Sequence, residues 1–274
     1  MIPMRLAALV FLLLPALAFA QPAQDQTGVA NAFGQFVSAA HSEGVETTTD
    51  LIACPIEIRG ERPAIGLCDR VLASHRVRVE RLTTQATMLF PSEPTALNPH
   101  YAVEEERDGV FHLLLFSDLD SADYVLATFM DVEGAYRLVN LDTEGGPEEM
   151  PPPASVIQAL NDLMAVASTP GTTIEEFARF IVARGDEEDR RWRAAADAAR
   201  EDELRFVESV LESIRFLMEA SRGDYEIEGY ESDEESEGEW HMLHVRFDTH
   251  EMEERRSFAF LPIGGTFLLG DIDN

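Results

Sequence analysis

The same order of sequence patterns occurs twice in this chain, and this repetition constrains its fold more than any other feature. In each half, apolar residues at helical spacing come first and runs typical of β-strands follow. The strand patterns span residues 101–141 in the first half and residues 225–272 in the second. The sequence therefore predicts an α+β fold of two modules, each with N-terminal helices packed on a curved antiparallel sheet.

Short motifs in the two halves also resemble one another in the same order. Phe33-x-x-Phe36-Val37 resembles Phe177-x-x-Phe180-Ile181, Tyr101-x-Val103-Glu104 resembles Tyr225-x-Ile227-Glu228, Phe111-His112-x-Leu114 resembles Trp240-His241-x-Leu243, and Gly134-x-Tyr136-x-Leu138 resembles Gly265-x-Phe267-x-Leu269. A divergent duplication explains this common order. Two unrelated α+β domains that share generic amphipathic patterns are the alternative.

The predicted boundaries follow from composition. Residues 1–20 are a signal peptide, residues 27–142 form the first module, and residues 173–274 form the second. Residues 143–172 are a Pro-rich linker and a short helix, because consecutive prolines stiffen a chain and cannot pair in a sheet. At the start of the second module, a Ser/Thr cap followed by an acidic residue three positions later predicts a helix N-terminus, with Thr172 or Thr173 as the cap.

The N-terminal residues have the three parts of a cleavable secretory signal. Arg5 is the positive region, Leu6 to Leu14 is apolar, and Ala18-Phe19-Ala20 is a small-x-small cleavage pattern before Gln21. The apolar run is shorter than the ~20 residues that span a bilayer. We therefore expect cleavage between Ala20 and Gln21, a periplasmic or secreted location, and no stable membrane anchor in the mature chain.

Two cysteines, Cys54 and Cys68, flank a segment that contains Pro and Gly. Their spacing fits neither a redox pair nor a four-ligand zinc site. In an exported protein, we expect them to form a disulfide bond, which stabilises such a loop by about 3 kcal/mol. Two buried free thiols are the alternative.

The chain is strongly acidic, with a formal net charge of −30. Such a surface repels nucleic acids and anionic lipids, because those partners need a positive face. All 21 basic residues are Arg, which is consistent with a GC-rich genome. Adaptation to salt is a second interpretation, because salt screens the repulsion between carboxylates.

In each half, the helices come first and the strands end in the pattern G-x-[YF]-x-L-x-x-[LI]-D. This arrangement resembles the nuclear transport factor 2-like (SnoaL-like, cystatin-like) α+β cone superfamily, with two such modules in tandem. The resemblance covers residues 27–142 and again residues 173–274. It implies a cone-shaped fold in each module. That superfamily includes isomerases, hydratases, ligand carriers and scaffolds, so the resemblance does not select one function. The chain departs from the acid–base enzymes of the superfamily, because no Asp–His pair stands at a matching position.

The segment Trp240 to His250 invites a metal-binding interpretation, which strand geometry opposes. On a strand, His241 and His244 point to opposite faces, and His244 lies about 13 Å from Asp248. Only Asp248 and His250 are close enough to share an ion, and two ligands do not make a site. We therefore expect no metal site.

Two histidines are the candidates for acid–base chemistry. His112 and His241 each follow an aromatic residue at the start of an apolar strand. If either lines a cavity, it could act as a general base or orient a ligand. A hydrogen-bonded structural role is the alternative. No nucleophile or nucleotide-binding motif is present, so we expect no cofactor.

The acidic segment Glu231 to Glu239 lacks the spacing of a calcium loop. It predicts a solvated, mobile hairpin tip, or alternatively a docking site for a basic partner.

We expect an exported, non-enzymatic binding protein whose partner is a small apolar ligand or a protein, with a cationic partner favoured by the charge. The alternatives are a cone-fold isomerase or hydrolase that uses His112 or His241, and a structural protein of the envelope.

Overall fold

The structure is a computed structural model that describes residues 23–42, 44–56, 64–91, 99–106, 109–119, 121–145, 150–184, 192–198, 201–235, 238–249 and 253–273. The predicted signal peptide lies outside these residues, together with its cleavage point at Ala20 and Gln21. Among the described residues, no helix combines the length and the apolar character needed to cross a membrane.

The described elements alternate between helices and antiparallel strands. The helices are α1 (Ala23–Ser42), α2 (Val45–Thr48), α3 (Ala73–Leu89), α4 (Ala154–Ser168), α5 (Ile174–Phe177), α6 (Ala195–Ala198) and α7 (Glu201–Ala220). The strands are β1 (Ala53–Ile56), β2 (Ala64–Leu67), β3 (His100–Glu106), β4 (Gly109–Leu119), β5 (Ala122–Val132), β6 (Ala135–Glu144), β7 (Val182–Arg184), β8 (Trp192–Ala194), β9 (Tyr225–Glu235), β10 (Gly238–Asp248), β11 (Glu253–Ile263) and β12 (Thr266–Asp273).

The first module is a meander of four antiparallel strands, β3-β4-β5-β6, with helices on its inner face. Alternate residues of each strand point inward, because side chains on a strand alternate between faces. The inner face is filled with aromatic rings. The ring of Phe33 on α1 lies 4.6 Å from that of Phe116 on β4 and 6.3 Å from that of Phe129 on β5. These contacts hold α1 against the sheet.

The second module repeats this order of elements. In each module a long helix is followed by one four-residue helical turn, one 3₁₀ turn, a short hairpin, further helix and a four-stranded meander. The second meander has the order β12-β11-β10-β9. Before each short hairpin, one residue forms a parallel bridge to the last strand of the meander, Ile52 to Leu138 and Ile181 to Leu269. The predicted α+β class with two sheet-bearing modules is confirmed.

In both modules the short hairpin covers the outer face of the sheet. Ala53 on β1 packs against Met130 and Val132 of the first sheet. In the second module Trp192 on β8 meets Trp240 on β10 edge to face, with ring centroids 6.0 Å apart. Each sheet is therefore buried on part of both faces.

Cys54 and Cys68 form the expected disulfide bond. Cys54 lies in β1 opposite Gly66, and Cys68 directly follows β2. The bond therefore ties the two strands of this hairpin together on the side away from its tip. The corresponding hairpin of the second module, β7–β8, has the Trp192–Trp240 contact instead.

Helix α3 belongs to both modules. Ala73 and Val77 in its first half lie in the core of the second module, whereas Leu82, Ala86 and Leu89 lie in the core of the first. The first turn of the helix is also anchored by backbone, because the Ala73 amide donates to the carbonyl of Gly264, 2.8 Å away in the β11–β12 turn. The two modules therefore share a helix and cannot separate without exposing core residues.

A capping contact adds to this connection. A carboxylate oxygen of Glu80 on α3 accepts from the backbone amide of Ser155, at 3.0 Å, and from its hydroxyl, at 2.8 Å. Ser155 is in the first turn of α4, where backbone amides lack partners within the helix. α4 lies in the predicted linker segment 143–172, and its apolar side packs in the second core. The predicted module boundaries stay predictions.

Two of the predicted helices are wrong in extent. Apolar Leu67, Val71 and Leu72 predict a helix that extends to Leu82. That helix begins only at Ala73, because Leu67 ends β2 in the disulfide-bonded hairpin. Helical spacing of apolar residues likewise predicts a long helical region over Asp186–Ser221. Its first described residues, Trp192–Ala194, form strand β8, since Trp192 packs on the outer face of the sheet. The capping box is confirmed for Thr173 and Glu176.

Two of the proposed motif matches are also wrong. Phe33 lies on α1, whereas Phe177 lies in the four-residue helix α5, whose counterpart in the first module is α2. Tyr101 lies opposite Leu114, and the residue opposite the equivalent Leu243 is Tyr230. Tyr230 therefore takes the place of Tyr101, and Tyr225 does not.

Candidate functional site

A tyrosine–histidine pair stands at the same place in both sheets. In the first module the hydroxyl of Tyr101 on β3 lies 2.8 Å from Nδ1 of His112 on β4. In the second module the hydroxyl of Tyr230 on β9 lies 2.9 Å from Nδ1 of His241 on β10. In both pairs the two residues are separated by 11 positions in sequence. The structure therefore assigns a hydrogen-bond partner to each histidine that the sequence suggested.

The pair in the first module is joined by a third and a fourth polar side chain. Tyr136 on β6 meets the ring of His112 edge to face, with centroids 4.8 Å apart. Its hydroxyl donates to a carboxylate oxygen of Asp25 on α1, at 3.2 Å. Tyr101, His112, Tyr136 and Asp25 therefore form one cluster, which we call the Asp25 cluster.

A glycine permits this arrangement. A Cβ atom at Gly28 on α1 would lie 2.8 Å from Cε2 of Tyr136, closer than real Cβ contacts. The helix therefore approaches Tyr136 closely only because residue 28 has no side chain. This approach brings Asp25, one helical turn earlier, within reach of the Tyr136 hydroxyl.

Burial sets the protonation states in the Asp25 cluster. Desolvation lowers the pKa of His112, although the carboxylates of Asp25 and Asp131 act in the opposite direction. Desolvation, with a contribution from Asp25, raises the pKa of Tyr101 to about 12. The cluster at neutral pH therefore contains a neutral imidazole and protonated phenols. A neutral imidazole that is held by a phenol can accept or pass on a proton.

The pair in the second module is enclosed. His241 is fully buried, with 0% of its surface exposed, whereas His112 is 7% exposed. Desolvation, followed by the charge of Arg81, lowers the pKa of His241 to about 4. Phe267 stands edge to face against it, where the first module has Tyr136. Its Nε2 atom is buried without a hydrogen-bond partner among the described residues.

The two histidines therefore have different surroundings. His112 lies beside an aspartate and two phenols, and His241 is packed among Tyr230, Phe267 and core residues. This difference favours His112 over His241 as a group that could meet a ligand. The assignment of a catalytic role to either histidine stays a prediction.

His244 lies on the outer face of the second sheet, as strand alternation predicts. Its Nδ1 is 2.8 Å from the hydroxyl of Ser257, and its Nε2 is 2.8 Å from a carboxylate oxygen of Glu231. Among the described residues, no group of three or more Cys, His, Asp or Glu side chains could hold a metal ion. His250 lies outside the described residues, so the predicted pairing of Asp248 with His250 is not described. The carboxylate of Asp248 is paired with Arg246.

The acidic segment Glu231 to Glu239 is mostly strand, and the tip of its hairpin, at residues 236 and 237, lies outside the described residues, so the predicted mobility stays a prediction. β9 extends to Glu235 and β10 begins at Gly238. Part of its charge is used within the chain, because Glu231 contacts His244 and Glu239 forms an ion pair with Arg81 on α3. Cross-strand pairing therefore joins residues 231–235 to the start of β10.

The outer face of the second sheet carries a network of ion pairs. Arg246 on β10 contacts the carboxylates of Glu226, Glu228 and Asp248. These contacts raise the pKa of Arg246 further above its usual value. Cross-strand pairs of opposite charge are favourable on a sheet. Arg246 also approaches Glu253, and Arg255 on β11 contacts Glu228 and Glu253, so two guanidinium groups share four carboxylates.

A surface depression lies at the other end of the second module. It has a volume of about 540 Å³ and is lined by the loop after α4 and the end of α7. Arg215 lines the depression and donates to the carbonyl oxygens of Ala167 and Thr172, at 3.0 Å and 3.1 Å. The guanidinium is thereby bonded to the last turn of α4, where carbonyls lack helical partners, and to the loop that follows.

Sequence reasoning found both histidines but missed Asp25, Gly28 and both tyrosine partners. One signal was present: a tyrosine precedes each histidine by 11 residues. A hairpin of that span places the two side chains on neighbouring strands and on the same face. Asp25 gave no signal, because its role depends on how α1 crosses the sheet.

Comparisons with known proteins leave the family open. No family model matches the chain, and no curated protein matches it. One solved structure that is similar is a cystatin-like protein from Ruminococcus gnavus, with 10% sequence identity. The similarity covers 92% of this chain and 90% of that chain, with a TM-score of 0.23. The fold class therefore rests on the element order described above.

Proposed function

We propose that this chain is an exported, non-enzymatic binding protein that recognises a cationic, extended protein segment along strand β9. The observation that carries the proposal is that β9 is a long edge strand with an acidic surface. Strand addition at a sheet edge is a common mode of peptide recognition, in which backbone hydrogen bonds supply affinity. The side chains of the edge strand then select the partner.

Among the described residues, each four-stranded sheet has one edge strand that is bridged by a residue outside the sheet and one edge strand that is not. At the β6 edge, Ile52 bridges to Leu138, and Arg78 and Gln85 on α3 donate to the carbonyls of Val139 and Leu141. At the β12 edge, Ile181 bridges to Leu269. Among the described residues, β9 pairs with β10 alone. β9 is 11 residues long, whereas β3, the edge strand of the first sheet that pairs with one described strand alone, has 7 residues.

Charge favours a cationic partner. The exposed side chains of β9 include Glu226, Glu228, Glu231, Asp233 and Glu234. The first two already contact Arg246 and the third contacts His244, so Asp233 and Glu234 are the acidic side chains on which the proposal rests. Acidic residues on an edge strand also discourage pairing between identical copies, since like charges would face each other. A basic segment meets no such repulsion and is steered toward the strand by the net charge of −30. The same feature thus excludes one occupant and favours another.

Export is part of the proposal. The disulfide bond between Cys54 and Cys68 supports it, because such bonds persist in oxidising compartments. The cone-superfamily resemblance supports a binding role only at the level of the fold. The aromatic packing inside the first module supports a site on the surface over a buried apolar ligand, because Phe33, Phe116 and Phe129 pack against one another there.

The test is fluorescence anisotropy with a labelled peptide of alternating Arg and Val. A second peptide of the same sequence carries N-methyl groups on alternate residues, which keeps its charge but removes backbone donors. We expect the first peptide to bind, with affinity that falls as salt rises, and the N-methylated peptide to bind at least about tenfold more weakly. Equal binding of both peptides, or no binding, would contradict strand addition.

A matched pair of variants locates the site. Asp233→Asn with Glu234→Gln removes two charges from β9, and Glu208→Gln with Glu212→Gln removes two exposed charges from α7. Both variants change the net charge equally. Only the β9 variant is expected to weaken binding of the unmodified peptide, and an equal loss in both would indicate a nonspecific charge effect.

A second candidate function, acid–base catalysis, is favoured by the Asp25 cluster. Catalysis there needs reagents to reach His112, which is the point that can be tested without a substrate. Diethyl pyrocarbonate modifies neutral, accessible imidazoles, and mass spectrometry reads each histidine separately. If His112 reacts no faster than the buried His241, the catalytic candidate fails. His244, which is exposed on the outer face, is the positive control.

A further inference from the structure

Helix α7 presents two large apolar side chains to solvent. Phe206 is 44% exposed and Phe216 is 67% exposed, whereas the opposite face of the helix is buried in the second core. Between them lie Ser209 and Ser213, both exposed and small. The Ser213 hydroxyl donates to the Ser209 carbonyl at 2.8 Å, so it needs no external partner. The four residues fall within an arc of about 80° on a helix of 3.6 residues per turn.

The stripe has the symmetry of an antiparallel pair. Phe206 and Phe216 are equidistant from residue 211, and so are Ser209 and Ser213. A two-fold axis at that level would place Phe206 of one copy beside Phe216 of the other, and Ser209 beside Ser213. Small residues between bulky ones let the two helices approach while the rings interdigitate.

Charges along one side of the stripe follow the same symmetry. Arg205 would come level with residue 217 of a second copy, about 3 Å along the axis from Glu219 of that copy. The reciprocal pair forms by symmetry, since the arrangement is isologous. Glu212 of each copy would meet near the axis, which opposes the pairing. Two attractive contacts therefore outnumber one repulsive contact.

We propose that the chain forms a weak antiparallel dimer through α7, with a second copy of itself as the partner. The contact is limited to one 20-residue helix, so we place it among small, transient interfaces. This proposal is independent of peptide recognition at β9.

Sedimentation velocity over a concentration series at physiological ionic strength tests the proposal. The wild-type chain is expected to shift from monomer to dimer as concentration rises. Phe216→Ser is expected to raise the dissociation constant by about tenfold or more, because the most exposed ring is removed. The control is Val110→Ser, which removes an exposed apolar side chain, 43% exposed, from the first module. It is expected to change nothing.

Charge reversal tests the antiparallel geometry. Arg205→Glu and Glu219→Arg change the net charge in opposite directions, yet each alone is expected to weaken the dimer about tenfold. The double variant restores the pairs with reversed signs and is expected to recover wild-type association. Far-UV circular dichroism confirms that each variant is folded. A wild-type chain that stays monomeric into the millimolar range, or a double variant that does not recover, would overturn the proposal.

Discussion

Two glycines on the same helix separate the packing of α1 on Tyr136 from helix propensity. Gly28→Ala and Gly34→Ala both replace glycine by the best helix former in α1. The intrinsic gain is about 1 kcal/mol in each case. At Gly34 nothing lies within 4 Å of the added Cβ, so the full gain is expected.

At Gly28 the added Cβ would lie 2.8 Å from Cε2 and 3.3 Å from Cδ2 of Tyr136. Either the ring or the helix must move, and overpacking of this kind costs about 1–3 kcal/mol. Movement of the ring also disturbs the Tyr136–Asp25 hydrogen bond and the contact with His112. The net effect is expected to lie between neutral and a loss of about 2 kcal/mol, which is the packing cost less the propensity gain.

Urea denaturation followed by circular dichroism measures both variants. The difference between their free energies of unfolding cancels the propensity gain, and is expected to be about 1–3 kcal/mol in favour of Gly34→Ala. In thermal melts this corresponds to a gap of roughly 2–4 °C per kcal/mol for a chain of this size. If the two variants are stabilised equally, α1 does not pack on Tyr136 as described, and the Asp25 cluster does not exist.

Three further results are expected. Replacing Cys54 and Cys68 together by Ser removes the cross-link and lowers the free energy of unfolding by about 3 kcal/mol in urea titrations, and equal stability would contradict the bond. The pKa of His241 is depressed from 6.5 to about 4. Between pH 6.5 and pH 4, His241 is protonated in the unfolded chain and neutral in the folded chain. The free energy of unfolding therefore falls by about 3 kcal/mol as pH falls from 6.5 to 4. This loss should be missing from His241→Phe, and parallel pH profiles would refute it. Arg81→Gln removes a positive neighbour and is expected to raise the His241 pKa in NMR titrations. An unchanged pKa would show that Arg81 does not act on His241.

Much of the fold was predictable because its signals are local. The turn glycines Gly134 and Gly264 have positive φ angles of 81° and 56°, and apolar residues alternate along the flanking strands. The cap at Thr173 is likewise a signal within four residues. Such features depend on nearby residues, so periodicity and turn chemistry reveal them.

Elements that depend on distant contacts were missed. Trp192 lies in a segment with helical spacing, yet it forms strand β8 because its ring packs against Trp240. The first half of α3 belongs to the second core, because Ala73 is anchored to the β11–β12 turn nearly two hundred residues later. Tertiary contacts override local propensity in both cases.

The candidate site was predictable only in part for the same reason. His112 and His241 stand out because each follows an aromatic residue in an apolar run. The partners that distinguish them, Asp25 for one and Phe267 for the other, come from elements that the sequence does not connect. The acidic segment was visible, but its extension of β9 was not, because its composition is typical of loops.

The most direct test of the proposed function is hydrogen–deuterium exchange of the mature protein with and without the Arg–Val peptide. Strand addition forms new backbone hydrogen bonds on the free side of β9. We therefore expect slower exchange in residues 225–235 and no change in residues 100–106 of the shorter edge strand β3. Protection that is missing from residues 225–235, or that appears equally in both edge strands, would contradict the proposal that β9 is the binding site.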